Sequence, residues 1–228
     1  MASPIPILNA RGGGTTITII RVLLALAPVA VPAAYLAFLK REVARHTIAD
    51  THASLSPKSN GDNDDDNVIP SAVLAAPDRF VVSRERVTSH AIPISSLRPD
   101  LVAAANAKGE VDFDGLLLEA YLSATMRAFA WTPQALVMAR MGSSLDADDA
   151  SAFTHSFQTP YLRTCGFEAG DRVCGVYVVR WRREGRVVLD LAPPRGWRGP
   201  LVKGALDVGF ERDGEGEDSV RFVNETVM

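Results

Sequence analysis

Residues Val22 to Leu39 read VLLALAPVAVPAAYLAFL, eighteen positions without a charge, whereas from about residue 80 onward apolar and polar positions alternate with recognisable periods. A helix of eighteen residues rises roughly 27 Å, close to the hydrocarbon thickness of a thin bilayer. Thr15 to Ile20 extend the apolar stretch upstream, so the pattern predicts a transmembrane anchor over 15–39 behind a short tail, 1–14. Arg21 would snorkel to the headgroups and Tyr35 would sit at the far interface. Pro28 and Pro32 each remove a backbone donor from nearly one face, and a kink is expected there. A cleaved signal peptide and an organelle presequence are the rival readings of the same run.

The C-terminal pattern changes period along its length. Phe80 to Ile92 is β-rich and reads as a first strand ending before Pro93. Leu101 to Ala107 suits a short helical turn stopped by Lys108-Gly109. Asp112 or Asp114 is a suitable N-cap for the longest helix, Leu116 to Trp131. Leu117, Tyr121, Ala124, Ala128 and Trp131 recur at spacings of three and four, with Leu118, Leu122 and Phe129 widening the stripe. Leu117, Tyr121 and Ala124 are expected to face a sheet. Thr132-Pro133 then caps a second helix, Gln134 to Met141, ending at Gly142. A loop or short helix carrying Asp146, Asp148 and Asp149 leads into strands. Val173 to Trp181 turns at Arg183-Glu184-Gly185 and returns as Arg186 to Leu191. Leu201 to Glu211 turns through Asp213 to Gly216 and returns as Ser219 to Met228. The expected fold is α+β, an antiparallel sheet packed on a long helix, with one face of the sheet covered.

Composition sharpens the boundaries. A basic flank (Lys40, Arg41, Arg45) and the acidic run Asn60 to Asn67 mark 40–76 as a linker too poor in large apolar residues to fold. That leaves 77–228 as one soluble domain, long enough to bury a core without disulfides. A calcium loop at Asp62, Asp64 and Asp66 is not expected, because Asn67 stands where glycine is needed and Val73 where a bidentate Glu belongs. Counting Lys and Arg near the span, two upstream against four downstream favours a cytosolic C-terminal domain, single-pass. The net charge of −3, with no basic aromatic-rich patch, argues against nucleic acid. Cys165 and Cys174 lack CxxC spacing and read as two buried reduced thiols.

The order of elements, a strand, then helices, then a curled antiparallel meander over Phe80 to Met228, resembles the START-like (helix-grip, SRPBCC) family of polyketide cyclases and lipid-binding proteins. Hot-dog thioesterases and NTF2-like cones share much of that order. The resemblance implies a hydrophobic pocket between helix and sheet. Taken with the anchor, it implies a membrane-tethered domain that binds, cyclises or otherwise converts a small lipid- or polyketide-like metabolite; the residues offer no metal-ligand set, and no cofactor or metal is expected. Tyr121, Trp131, Tyr177 and Trp181 are the candidate ligand-binding residues. A non-enzymatic, membrane-tethered protein-interaction module is the alternative, and a hot-dog-like thioesterase a third.

No catalytic constellation stands out in the sequence. His90 and His155 lack HxH or HxxxH partners, and Ser95-Ser96 and Ser143-Ser144 lack the GxSxG elbow. Asp190 alternates with Leu189 and Leu191, which turns it toward solvent. Arg180, Arg182 and Arg183 suit a solvated strand end, and Asp207 and Glu225, on neighbouring strands, are placed to pair with arginines.

Overall fold

The computed structural model describes residues 34–54, 68–75, 81–107, 112–142, 145–183, 185–197, 203–212 and 218–228. Most of the expected anchor (15–33), the acidic run and the 213–216 turn lie outside them. Among the described residues no helix is long and apolar enough to cross a membrane. The chain divides into two compact units, Met1–His46 and Thr47–Met228.

In the first unit, helix α1 spans 34–46 and so continues past Leu39, where the anchor was expected to end. Glu42 supports its last turns, 3.2 Å from His46 and 3.5 Å from Arg45, the three- and four-residue spacings that bring side chains together on a helix. Tyr35, Leu36, Phe38 and Val43 are exposed.

The second unit is built on one eight-stranded antiparallel sheet. Its strands are β1 (Thr47–Ser54), β2 (Val82–Ser89), β3 (Ile92–Pro93), β4 (Arg172–Val173), β5 (Tyr177–Arg183), β6 (Arg186–Leu191), β7 (Ala205–Arg212) and β8 (Ser219–Val227). Their spatial order is β1-β2-β8-β7-β6-β5-β4, with β3 paired beside β2 on β8. The meander β5 to β8 follows the alternation in the sequence. The single strand expected from Val173 to Trp181 is instead broken: Cys174 (φ 48°) and Gly175 (φ 79°) turn the chain between β4 and β5. A Cβ on Gly175 would come within 2.5 Å of the Phe153 ring, so the turn needs glycine for both conformation and space.

The linker expectation is corrected at both ends. Thr47–Ser54 pairs along its whole length with β2. Val68, Ile69 and Val73, the last on α2 (Ser71–Ala75), are buried with Val82, Val188, Ala205 and Val227. They cover the second face of the sheet, which was expected to be bare. The composition of 40–76 is averaged over its acidic centre, and that average hides a short apolar patch, VIPSAV, at its end.

Among the described residues the connection from β3 to β4 holds a short 3-10 turn, Ile94–Ser96, and then five α-helices: α3 (Pro99–Asn106), α4 (Phe113–Ala130), α5 (Pro133–Met141), α6 (Ala147–His155) and α7 (Thr159–Thr164). Asp112 caps α4 by accepting from the Gly115 backbone N–H at 2.9 Å, and Thr132 caps α5 through Ala135 at 3.2 Å. α4 lies on the first face of the sheet. Its buried residues are Phe113, Leu117, Leu118, Leu122 and Met126, against Val179, Val187, Leu189, Val208 and Phe210. The expected stripe is therefore rotated. Leu117 is buried and Tyr121 packs on Phe222, but Ala124 and Ala128 are exposed. Alanines matched the spacing but offer little area to bury, so the larger Leu118, Leu122 and Met126 set the inner face.

Candidate functional site

α4 ends at Ala130, and the Thr132-Pro133 cap swings α5 across the open ends of the meander strands. Beneath α5 lies a pocket of about 580 Å³, walled by Val137, Met138 and Met141 from the helix and by Tyr177, Leu191 and Leu206 from the sheet. The strand residues share one face of the sheet in two staggered pairs, since Leu206 pairs with Leu189, two residues from Leu191. Tyr177 faces Leu191 across β5 and β6, and Leu206 faces Thr226 across β7 and β8. Trp197, tilted against Phe153 at 5.8 Å between ring centroids, closes one side, and Met228 another. Ala135 is fully buried, and its small side chain lets α5 seat closely.

Polar groups are few along this wall: Gln134, the Tyr177 hydroxyl and Thr226. Burial, and next the nearby Cys174, push the Tyr177 hydroxyl above its ordinary range, so it stays protonated and can donate a hydrogen bond. An apolar wall with a small number of polar groups is the usual chemistry of a small-molecule site, and the volume falls within the range of such pockets.

The four aromatic residues singled out in the sequence are not brought together. Tyr177 lines the pocket. Tyr121 is stacked on Phe222 at 4.2 Å and accepts from Asn224 Nδ2 at 2.6 Å, inside the helix–sheet core. Asn224 Oδ1 is buried without a partner among the described residues; turning the amide over would leave the nitrogen in that position instead. Trp181 lies on the opposite face of the sheet, beside the Val68–Val73 patch. Trp131 follows the last residue of α4 and is 78% exposed. The residues that sequence reasoning missed are aliphatic and sulfur-bearing. Their available signal was the run Val137-Met138-Ala139-Arg140-Met141, whose flexible methionines suit an adaptable apolar surface.

Outside the pocket, the titratable groups form structural pairs. Arg180 Nε donates to both carboxylate oxygens of Asp190 at 3.1 and 3.0 Å, so this aspartate is paired and partly buried rather than free in solvent. Asp207 is buried against Arg186, and Glu225 lies 3.5 Å from Arg84, the pairing with arginines that their strand positions suggested. His155 packs its ring on Tyr161 at 4.7 Å. Cys165 and Cys174 are free and buried, without a disulfide between them.

No protein-family model, curated protein or solved structure matches the chain.

Proposed function

We propose that the C-terminal domain binds a small hydrophobic metabolite beneath α5, and that the apolar run 15–39 holds it at a membrane. The observation that carries this reading is the α5 pocket, about 580 Å³ bounded chiefly by apolar side chains. Tyr177 and Thr226 would orient a ligand that carries one or two hydroxyl or carbonyl groups. Lipid- and polyketide-like molecules have that balance, in keeping with the resemblance of the element order in the sequence to START-like proteins. Conversion of the ligand, by cyclisation or thioester cleavage, is a finer form of the same reading.

The test fills the pocket. Leu206→Trp places an indole where Leu206 meets Thr226, and should abolish saturable binding of an apolar fluorescent probe while the far-ultraviolet circular dichroism is unchanged. Probe binding that persists in a folded Leu206→Trp protein would rule the pocket out as the site.

A second reading, a tethered protein-interaction module, draws on Trp131, Leu136 and Val137, which are exposed together around the α4–α5 turn. Large exposed apolar side chains gathered in one place mark interaction surfaces. Trp131→Ser separates the two, because it should weaken a protein contact and spare probe binding beneath α5.

A further inference from the structure

A second hollow, of about 570 Å³, lies between α3, α4 and α7. The residues that α4 sends to it, including Glu119, Ser123 and Arg127, recur at helical spacing on a side turned away from the Leu118–Leu122–Met126 stripe. Arg98 and Asp100 enter from the start of α3, and Arg163 from α7.

The charges in this hollow do not cancel pairwise. Asp100 is engaged by Arg98, whose Nε donates to Oδ1 at 3.0 Å. Glu119 is drawn to Arg182 on β5, 2.9 Å away and outside the hollow. Arg127 and Arg163 then have no carboxylate partner among the described residues. Arg127 Nε donates to the Ser123 carbonyl at 3.1 Å, which lays the side chain along α4 and leaves both terminal nitrogens free to donate.

We propose that this hollow binds a phosphate-bearing ligand, with Arg127 and Arg163 as its anion contacts. A carboxylate offers two oxygens and one charge, which match a single guanidinium fork. A phosphate has three or four oxygens and up to two charges, enough for two forks arriving from different helices. The hollow has no lining residue in common with the apolar pocket under α5, and either proposal can fail alone.

The experiment titrates the full chain, in neutral detergent, with inorganic phosphate by calorimetry, with acetate as the monoanion comparison. Saturable phosphate binding is expected, tighter than acetate. Arg127→Gln and Arg163→Gln should each weaken it by about tenfold or more, the loss of one charge-assisted contact. Lys203→Gln, which removes an exposed charge elsewhere, should not. A parallel arm uses phosphatidylcholine vesicles with and without phosphatidic acid. Binding of free phosphate alone would indicate a soluble ligand, and preference for phosphatidic acid vesicles that the same variants lose would indicate a lipid headgroup. Should a variant misfold, phosphate protection of Arg127 and Arg163 in the wild-type chain from an arginine-selective dicarbonyl, with Arg195 unprotected, gives the same answer. The proposal is overturned by no binding in either arm, by acetate binding as tightly as phosphate, by variants that bind like wild type, or by equal labelling with and without phosphate.

Discussion

Asp207 shows how a single buried charge is held in this sheet. Its side chain is only 3% exposed, whereas that of Arg186, its partner, is 49% exposed. Across the β7–β8 pair Asp207 also faces Glu225. Removing Arg186 would therefore strand a buried carboxylate beside a like charge. Removing Asp207 would leave an arginine that water can still reach. Arg186→Ala should cost about 3 kcal/mol, near the lower end for breaking a buried pair, and Asp207→Ala clearly less. Urea denaturation of the two variants compares them directly, and equal losses would mean that Asp207 is not desolvated as described.

Cys174 makes a second prediction at this scale. Burial pushes its thiol up to about 12 from an ordinary value near 9. The unfolded chain releases this proton near the ordinary value, while the folded chain keeps it until about 12. Between those values the folded state binds more protons, so its stability falls as pH rises and is fully present only below the ordinary thiol range. The slope contributed is about 1.4 kcal/mol per pH unit. Cys174→Ala should flatten the alkaline decline in the free energy of urea unfolding by that amount, leaving the share due to Cys165, Tyr121, Tyr161 and Tyr177, which burial also raises. An identical alkaline profile in the variant would show that the thiol ionises freely in the folded protein.

Among the elements, α4 tests how the two layers meet. Leu122 is fully buried at its centre and Ala124, two residues on, is exposed. Leu122→Ala should cost about 2–5 kcal/mol, while Ala124→Phe should change stability by less than about 0.5 kcal/mol. Thermal or chemical unfolding of both variants checks the orientation; a severe loss with Ala124→Phe would return the helix to the orientation read from its spacing. The caps and the meander were legible in sequence because each is a local pattern: Asp112, then Thr132 with Pro133, and strands alternating between polar-rich turns. The rotation of α4 was not, since spacing alone gives alanine the same weight as leucine. Nor was the strand Thr47–Ser54, which is stabilised by pairing with β2 about 35 residues away rather than by anything in its own composition.

At the scale of the whole molecule, the candidate site was legible only as a kind of site, a pocket between helix and sheet, and in one of its residues, Tyr177. Aromatic side chains were the guide in the sequence, yet three of the four chosen are placed in the core, on the far face of the sheet and in solvent. The pocket wall comes instead from the ends of elements that are far apart along the chain, and no local pattern marks them as neighbours. Its methionines offer the most direct test of the central claim, that the α5 pocket is a hydrophobic binding site. Of the five methionines in the chain, Met138, Met141 and Met228 line the pocket, while Met126 is buried in the core under α4. In a protein labelled at the methionine methyls, titration with a medium-chain fatty alcohol followed by NMR should move the resonances of Met138, Met141 and Met228 along one saturable curve and leave Met126 in place. Resonances of all three that stay fixed at saturating alcohol, or a shift confined to Met126, would contradict the account.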